Sequence, residues 1–298
     1  MPTGSAAFVA LLDAALAASA SDIHLAAGET PRLRVRGELL AAPSFAPLLS
    51  RDIENFLLPL FSESNRNALQ AGTLSFAETL VNINDFNVVV QAYRSAGEFA
   101  ATLRILPAAV PTLAQVGGDH EAFWRDLSRK HQGLVLITGE VGSGKQTTAF
   151  ALLQEINATR PCRIHLVEES LSHRLRSETA FVTSLLVGQD VPDFDVALRF
   201  LLRGGGDADV VYLSDLPTAS VAESAVSLCR MGCLVIANAA APSATTALLT
   251  LAAGLPDADF AQHLLAVTYQ KLVTRGAGRI AEYDVLRGED CANILAKE

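Results

Sequence analysis

Gly139, Gly142, Gly144 and Lys145 are spaced as glycines and an ammonium must be to hold phosphate oxygens. Glycines let successive backbone N–H groups converge on one anion, the lysine adds positive charge, and a helix behind the loop adds the favourable end of its dipole. The candidate nucleotide-binding residues are Gly139, Glu140, Val141, Gly142, Ser143, Gly144, Lys145, Gln146 and Thr147. Chemistry on a bound triphosphate asks for more: a hydroxyl directly after the lysine to ligate Mg2+, and carboxylates that orient metal and water. Gln146 stands where that hydroxyl belongs, and its long amide suits the compact octahedral shell of Mg2+ poorly. Thr147 lies one residue on, about 100° further round a helix.

Two apolar runs end in acids. Residues 163–167 lead into Glu168 and Glu169, a pair that can orient water or a metal, or form a solvated acidic loop. Residues 209–213 lead into Ser214 and Asp215, the Walker B layout, in which the carboxylate reaches Mg2+ or the attacking water. The same aspartate can also serve as a strand-end cap. Glu168, Glu169 and Asp215 are the catalytic candidates, and Asp215 is the candidate metal ligand.

These groups need a scaffold that brings strand ends together. Residues 134–138 read as a buried strand before the loop and 147–157 as a helix after it. Further strands are expected at 164–168, 210–214 and 234–238, alternating with helical stretches. That order predicts an α/β domain with a mostly parallel sheet flanked by helices over 119–298. Lys271 and Arg275 read as basic residues closing a helix.

Residues 1–107 read as a small α+β domain. A helix is expected over 6–19, strands at 21–25 and 31–38 with a turn at Gly37, and helices at 52–61 and 64–71. Three antiparallel strands follow at 74–80, 86–93 and 99–106, with turns at Asn84-Asp85 and Gly97. His24 reads as a structural or interface histidine, and Arg32, Arg34 and Arg36 as one face of a strand. Arg94 and Arg104 are candidate arginine fingers supplied across a subunit boundary. Pro107 to Pro111 forces extended backbone, so 108–118 reads as a linker.

The chain has 298 residues, is 50% hydrophobic, and carries a formal net charge of −9. Its length allows two cores, and its charge argues against nucleic acid as a partner. Apolar runs stop short of the ~20 residues that span a bilayer, and no basic n-region precedes one, so a cytoplasmic protein is expected. Cys162, Cys229, Cys233 and Cys291 lack metal spacing and read as buried thiols.

Taken in order, these segments resemble the PilT-like pilus retraction ATPases of the type II/type IV secretion ATPase family. The resemblance rests on residues 19–28 and 31–37, on 133–139 with Gly142 to Lys145, and on 194–199 with Leu202, Arg203, Asp209 and Val210. It extends to 232–235, to Gln270 through Val273, and to 276–279. It implies a PAS-like N-terminal domain, a RecA-like P-loop domain binding ATP or ADP, and a homo-hexamer or a mixed ring with a paralogous ATPase. It further implies docking on an inner-membrane pilus or secretion platform protein, peripheral to that membrane.

Four departures cluster at the chemistry. Family members carry Ser after the P-loop lysine, where this chain has Gln146. Their acidic box ends in a second glutamate, here Ser172, and their Walker B Gly-Glu appears as Ser214-Asp215. Their histidine box, Thr-Leu-His-Thr, is here Asn238-Ala239-Ala240-Ala241, without an imidazole. The chain ends soon after residues 292–295, where members continue with helices tied to retraction. The expectation is a nucleotide-binding motor-family protein whose hydrolysis is weak or lost. The alternatives are a slow ATPase working through Glu169 and Asp215, or an interaction subunit without nucleotide.

Overall fold

In a computed structural model, residues 6–42, 44–83, 86–107, 109–170, 173–255, 258–275 and 278–297 are described. The expected turn at Asn84-Asp85, the resemblance at Gly276 and Ala277, and the family position at Ser172 fall outside them. The chain divides into two compact units, Met1–Ala109 with Leu171–Arg174, and Val110–Ser170 with Leu175–Glu298.

The first unit contains α1 (Ala6–Ala17), β1 (Asp22–Ala26), β2 (Arg32–Val35), β3 (Glu38–Ala41), α2 (Ser50–Leu57), α3 (Glu63–Ala71), β4 (Phe76–Ile83), β5 (Phe86–Ser95) and β6 (Glu98–Pro107). Its described strands form an antiparallel sheet in the order β3-β2-β1-β6-β5-β4. Ile23, Leu33, Val88, Val90 and Leu103 alternate onto one face and are buried with Phe8, Leu11, Ile53 and Leu57 from the helices. Arg36 and Gly37 (φ 53° and 91°) make one hairpin turn, and Ala96 and Gly97 (φ 52° and 84°) make another. Arg36 therefore sits in the turn and does not share the strand face of Arg32 and Arg34. A two-residue turn needs both residues left-handed, and the sequence offers Gly at only one of the two places.

The second unit contains α4 (Leu113–Val116), α5 (Glu121–Ser128), β7 (Gly133–Gly139), α6 (Lys145–Thr159), β8 (Arg163–Glu168), β9 (Phe181–Leu186), α7 (Phe194–Leu202) and β10 (Val210–Leu213). It continues with α8 (Ala219–Arg230), β11 (Leu234–Ala239), α9 (Ala244–Gly254), β12 (Leu264–Arg275), β13 (Gly278–Arg287) and α10 (Gly288–Leu295). The described strands run in the order β13-β12-β7-β11-β10-β8-β9, parallel except for the β12–β13 pair. The expected helix closing at Lys271 and Arg275 is a strand. Val267, Thr268, Tyr269, Val273 and Thr274 are β-branched or aromatic and outweigh the basic residues, and Lys271 pairs with Glu282 across the hairpin at 3.1 Å.

Both faces of this sheet are covered, which is why its strands read as unbroken apolar runs. Val135, Ile137, Leu166, Tyr212 and Ile236 point to α6 and pack on Phe150, Leu153 and Ile156. Leu134, Leu136, Val167, Leu213 and Val235 point the other way, onto Leu198, Val221, Val226 and Leu248. The helices on that second face start at side-chain caps, with Asp193, Thr218 and Ser243 accepting from the N–H groups of Val196, Val221 and Thr246. Ahead of the sheet, Thr112 N–H donates to Gln115 Oε1 and α4 begins, so the expected linker is helical in part.

Phe150 is fully buried and meets Tyr212 edge to face at 5.5 Å. Phe150→Ala is expected to cost about 3–5 kcal/mol. Trp124, the single tryptophan and a member of the same core, reports it as a lower urea midpoint in fluorescence.

Candidate functional site: a phosphate cradle at the carboxyl edge of the parallel sheet

β7 delivers the chain to the sheet's edge at Gly139, and α6 carries it away from Lys145. Gly142 and Gly144 hold φ of 80° and 87°, the left-handed backbone that glycine adopts at no steric cost. A side chain at Gly139 would collide with the Gln270 carbonyl and the Ser143 hydroxyl, so the bare backbone is required there. Gly144 is the N-cap of α6, which brings the first N–H groups of a 15-residue helix to the loop. These residues fit a phosphate group: a cradle with no Cβ in the way, N–H donors at a helix start, and an ammonium beside them.

The Lys145 ammonium donates to the carbonyl oxygens of Gly139 and Glu140, at 2.8 Å each. Ser143 N–H donates to Glu140 O at 3.2 Å. Burial lowers the Lys145 pKa, and the Asp215 carboxylate opposes that shift. Val141 is almost fully exposed at the tip of the loop, Glu140 is exposed, and Gln146 and Thr147 are half-buried in the first turn of α6. Next along the helix, Thr148 is buried and its hydroxyl meets that of Tyr283 at 3.0 Å.

The acids converge on the same edge. Register places Val167 beside Leu213 and Leu213 beside Ala237, so Glu168, Ser214 and Asn238 form the next row. Glu168 is buried, whereas Glu169 reaches solvent and donates its backbone N–H to the Ser214 hydroxyl at 3.0 Å. Partial desolvation and then the like charge of Asp215 raise the Glu169 pKa. Asp215 is thus in electrostatic contact with both Lys145 and Glu169. Directly after the lysine, Gln146 offers an amide where a P-loop carries the hydroxyl that ligates Mg2+.

The expected arginines are engaged within their own unit. Arg94 donates to Gly97 O at 2.8 Å, reaches the carbonyls of Leu69 and Gln70, and lies over the Phe99 ring at 4.4 Å. Arg104 pairs with Asp22 at 3.2 Å. His24 sits on β1 with Nδ1 3.4 Å from the Thr102 hydroxyl. Burial, Arg34 and Arg104 lower its pKa against the pull of Asp22.

Three polar contributors have no site role in the sequence reading. Gln270 on β12 donates from Nε2 to Ser143 O at 2.8 Å. Asn238 donates from Nδ2 to the buried Tyr212 hydroxyl at 2.8 Å. Burial, then the Glu168 carboxylate, pushes the Tyr212 phenol well above its ordinary range. Their polarity inside largely apolar strands is the physical signal that marks them in sequence.

A glycine cradle between the first strand and first helix of a parallel sheet, with acids on the neighbouring strand ends, defines a RecA-like P-loop protein. Residues 81–290 match the type II/IV secretion system protein family, and the chain belongs to it. It is 27% identical over 290 residues to the type IV pilus retraction ATPase PilT of Pseudomonas aeruginosa, covering 94% of this chain and 82% of that one. It is 29% identical over 287 residues to the uncharacterised protein YggR of Escherichia coli K12, covering 93% and 85%. Its fold overlays a crystal structure of the pilus retraction motor PilT with bound ADP at a TM-score of 0.81. That match has 25% identity and covers 96% of this chain and 86% of that one.

Replacing Asp215 with Asn removes a like charge from Glu169 and an opposite charge from Lys145. Both pKa values are expected to fall, the acid toward its ordinary value and the amine further from its own. NMR titration of labelled Glu and Lys side chains reads both shifts.

Proposed function

We propose that this protein binds ADP or ATP at its P-loop as a regulatory or structural member of a pilus or secretion motor, and hydrolyses nucleotide weakly or not at all. The observation that carries this reading is an intact phosphate cradle followed directly by Gln146. The glycines, Lys145 and the α6 N-terminus supply the binding half of a P-loop. Phosphoryl transfer depends on positioned charge, and removing one such group commonly costs ~100-fold or more. Here the metal-ligating hydroxyl is replaced, Asp215 is one methylene shorter than the family's glutamate, and Ala240 stands in place of the histidine.

The likeness to PilT supports the remaining parts of the reading. The chain forms a homo-hexamer or joins a mixed ring with an active paralogue, and works in the cytoplasm against an inner-membrane platform protein. Among the described residues no helix is long and apolar enough to cross a membrane, consistent with attachment through partners. Arg94 and Arg104 remain the candidates for reaching a neighbour's nucleotide in such a ring.

Calorimetry with ADP, in Mg2+ and in EDTA, tests nucleotide binding and its metal dependence together. Wild-type affinity is expected to be measurable and to change less than about threefold between the two. Gln146→Ser is expected to restore a Mg2+-dependent gain of ~10-fold, about 1.4 kcal/mol. Absence of heat in both buffers at high protein concentration would reject nucleotide binding in favour of a pure interaction subunit.

The like-charge influence of Asp215 on Glu169 favours one second reading, a slow ATPase in which this pair holds metal and water. Under that reading Asp215→Asn abolishes ATP turnover. Under the first it leaves a background rate unchanged.

A further inference from the structure

Gln270 is 2% exposed on β12, where that strand enters the core. It stands opposite Gly139 in the β7–β12 register. Its Nε2 donates to Ser143 O at 2.8 Å, and a Cβ placed on Gly144 would come within 2.8 Å of the same nitrogen. The bare α-carbon of Gly144 is therefore packed against the amide. Gln270 Oε1 is buried with no partner among the described residues. A buried acceptor left unsatisfied is costly, so burial alone does not account for an amide here. The amide's contribution must lie in what its N–H holds.

What it holds is one peptide of the loop. In a trans peptide the C=O and N–H point in opposite directions. With Ser143 O drawn onto β12, the N–H of Gly144 faces away from the strand. We propose that Gln270 is a positioning residue for the phosphate cradle, fixing the Ser143–Gly144 peptide so that its N–H is offered to the β-phosphate of a nucleoside di- or triphosphate. Without the amide the peptide is free to rotate. A carbonyl turned toward the phosphate converts a donor into a repelling dipole. The inference deepens the nucleotide-binding reading and rests on it for the identity of the ligand.

The test uses the full chain with Gln270→Met, which keeps length and burial, and Gln270→Leu, which is shorter and likewise carries no donor. Hydrogen exchange without nucleotide is followed in peptides spanning 139–148, with 210–230 as an internal control. Exchange in the loop peptide is expected to rise several-fold in both variants while the control stays unchanged. The ADP dissociation constant is expected to rise at least ~10-fold. Thermal stability of Gln270→Met is expected to change little, because loss of the orphaned Oε1 offsets the bond lost by Ser143 O, a split between stability and affinity that a packing role would not produce. Loop exchange in Gln270→Met equal to wild type overturns the proposal, whatever the affinities. If the control also accelerates in Gln270→Met, Gln270→Leu is judged by the same criterion. Wild-type protein that binds no ADP defeats the nucleotide reading, and loop exchange then decides the positioning role alone.

Discussion

A loop can grip phosphate only if its N–H groups face inward, and every inward N–H obliges a carbonyl to face out. The outward carbonyls here have defined acceptor roles. Gly139 O and Glu140 O take the Lys145 ammonium, and Ser143 O takes Gln270. Left-handed glycines at 142 and 144 make the turn, and the close approach of Gly139 to β12 pins its base. The two apolar faces of the sheet then hold β7, β12 and α6 in the one arrangement in which those bonds can form.

The same edge concentrates charge. Lys145, Asp215 and Glu169 lie close enough to shift one another, and Glu168 and Tyr212 lie buried beneath them. Such a set suits binding of an anion beside a lysine whose charge Asp215 helps to maintain. Departures from the motor pattern fall on the metal and nucleophile side of this edge, at Gln146, Asp215 and Ala240, while the anion side is untouched. The proposed function rests on that split: a site equipped to grip a nucleotide, with the groups that would turn it over replaced.

Much of this was legible along the chain. Glycine spacing after an apolar run marks strand, loop and helix, because the turn demands left-handed residues at fixed places. Acids at the ends of 163–168 and 209–215 point to the same edge, because parallel strands align their carboxyl ends. Other features were not legible. β9 mixes Thr183 and Ser184 into a short edge strand, with little periodicity to read. β12 carries basic residues that suggested a helix end, although its pairing with β7 and β13 overrides that local preference. Gln270 and Ser143 meet across more than a hundred residues, as do Tyr283 and Thr148, and no local spacing announces such a contact.

The central claim is that the pocket holds a triphosphate and leaves it intact. Phosphorus NMR of ATP and Mg2+ mixed with excess protein follows a single bound turnover directly. The account predicts a bound triphosphate spectrum that persists for hours. Conversion of the bound ATP to ADP and phosphate at ~0.1 per second or faster, above the unassisted rates of GTPase switches, would contradict it.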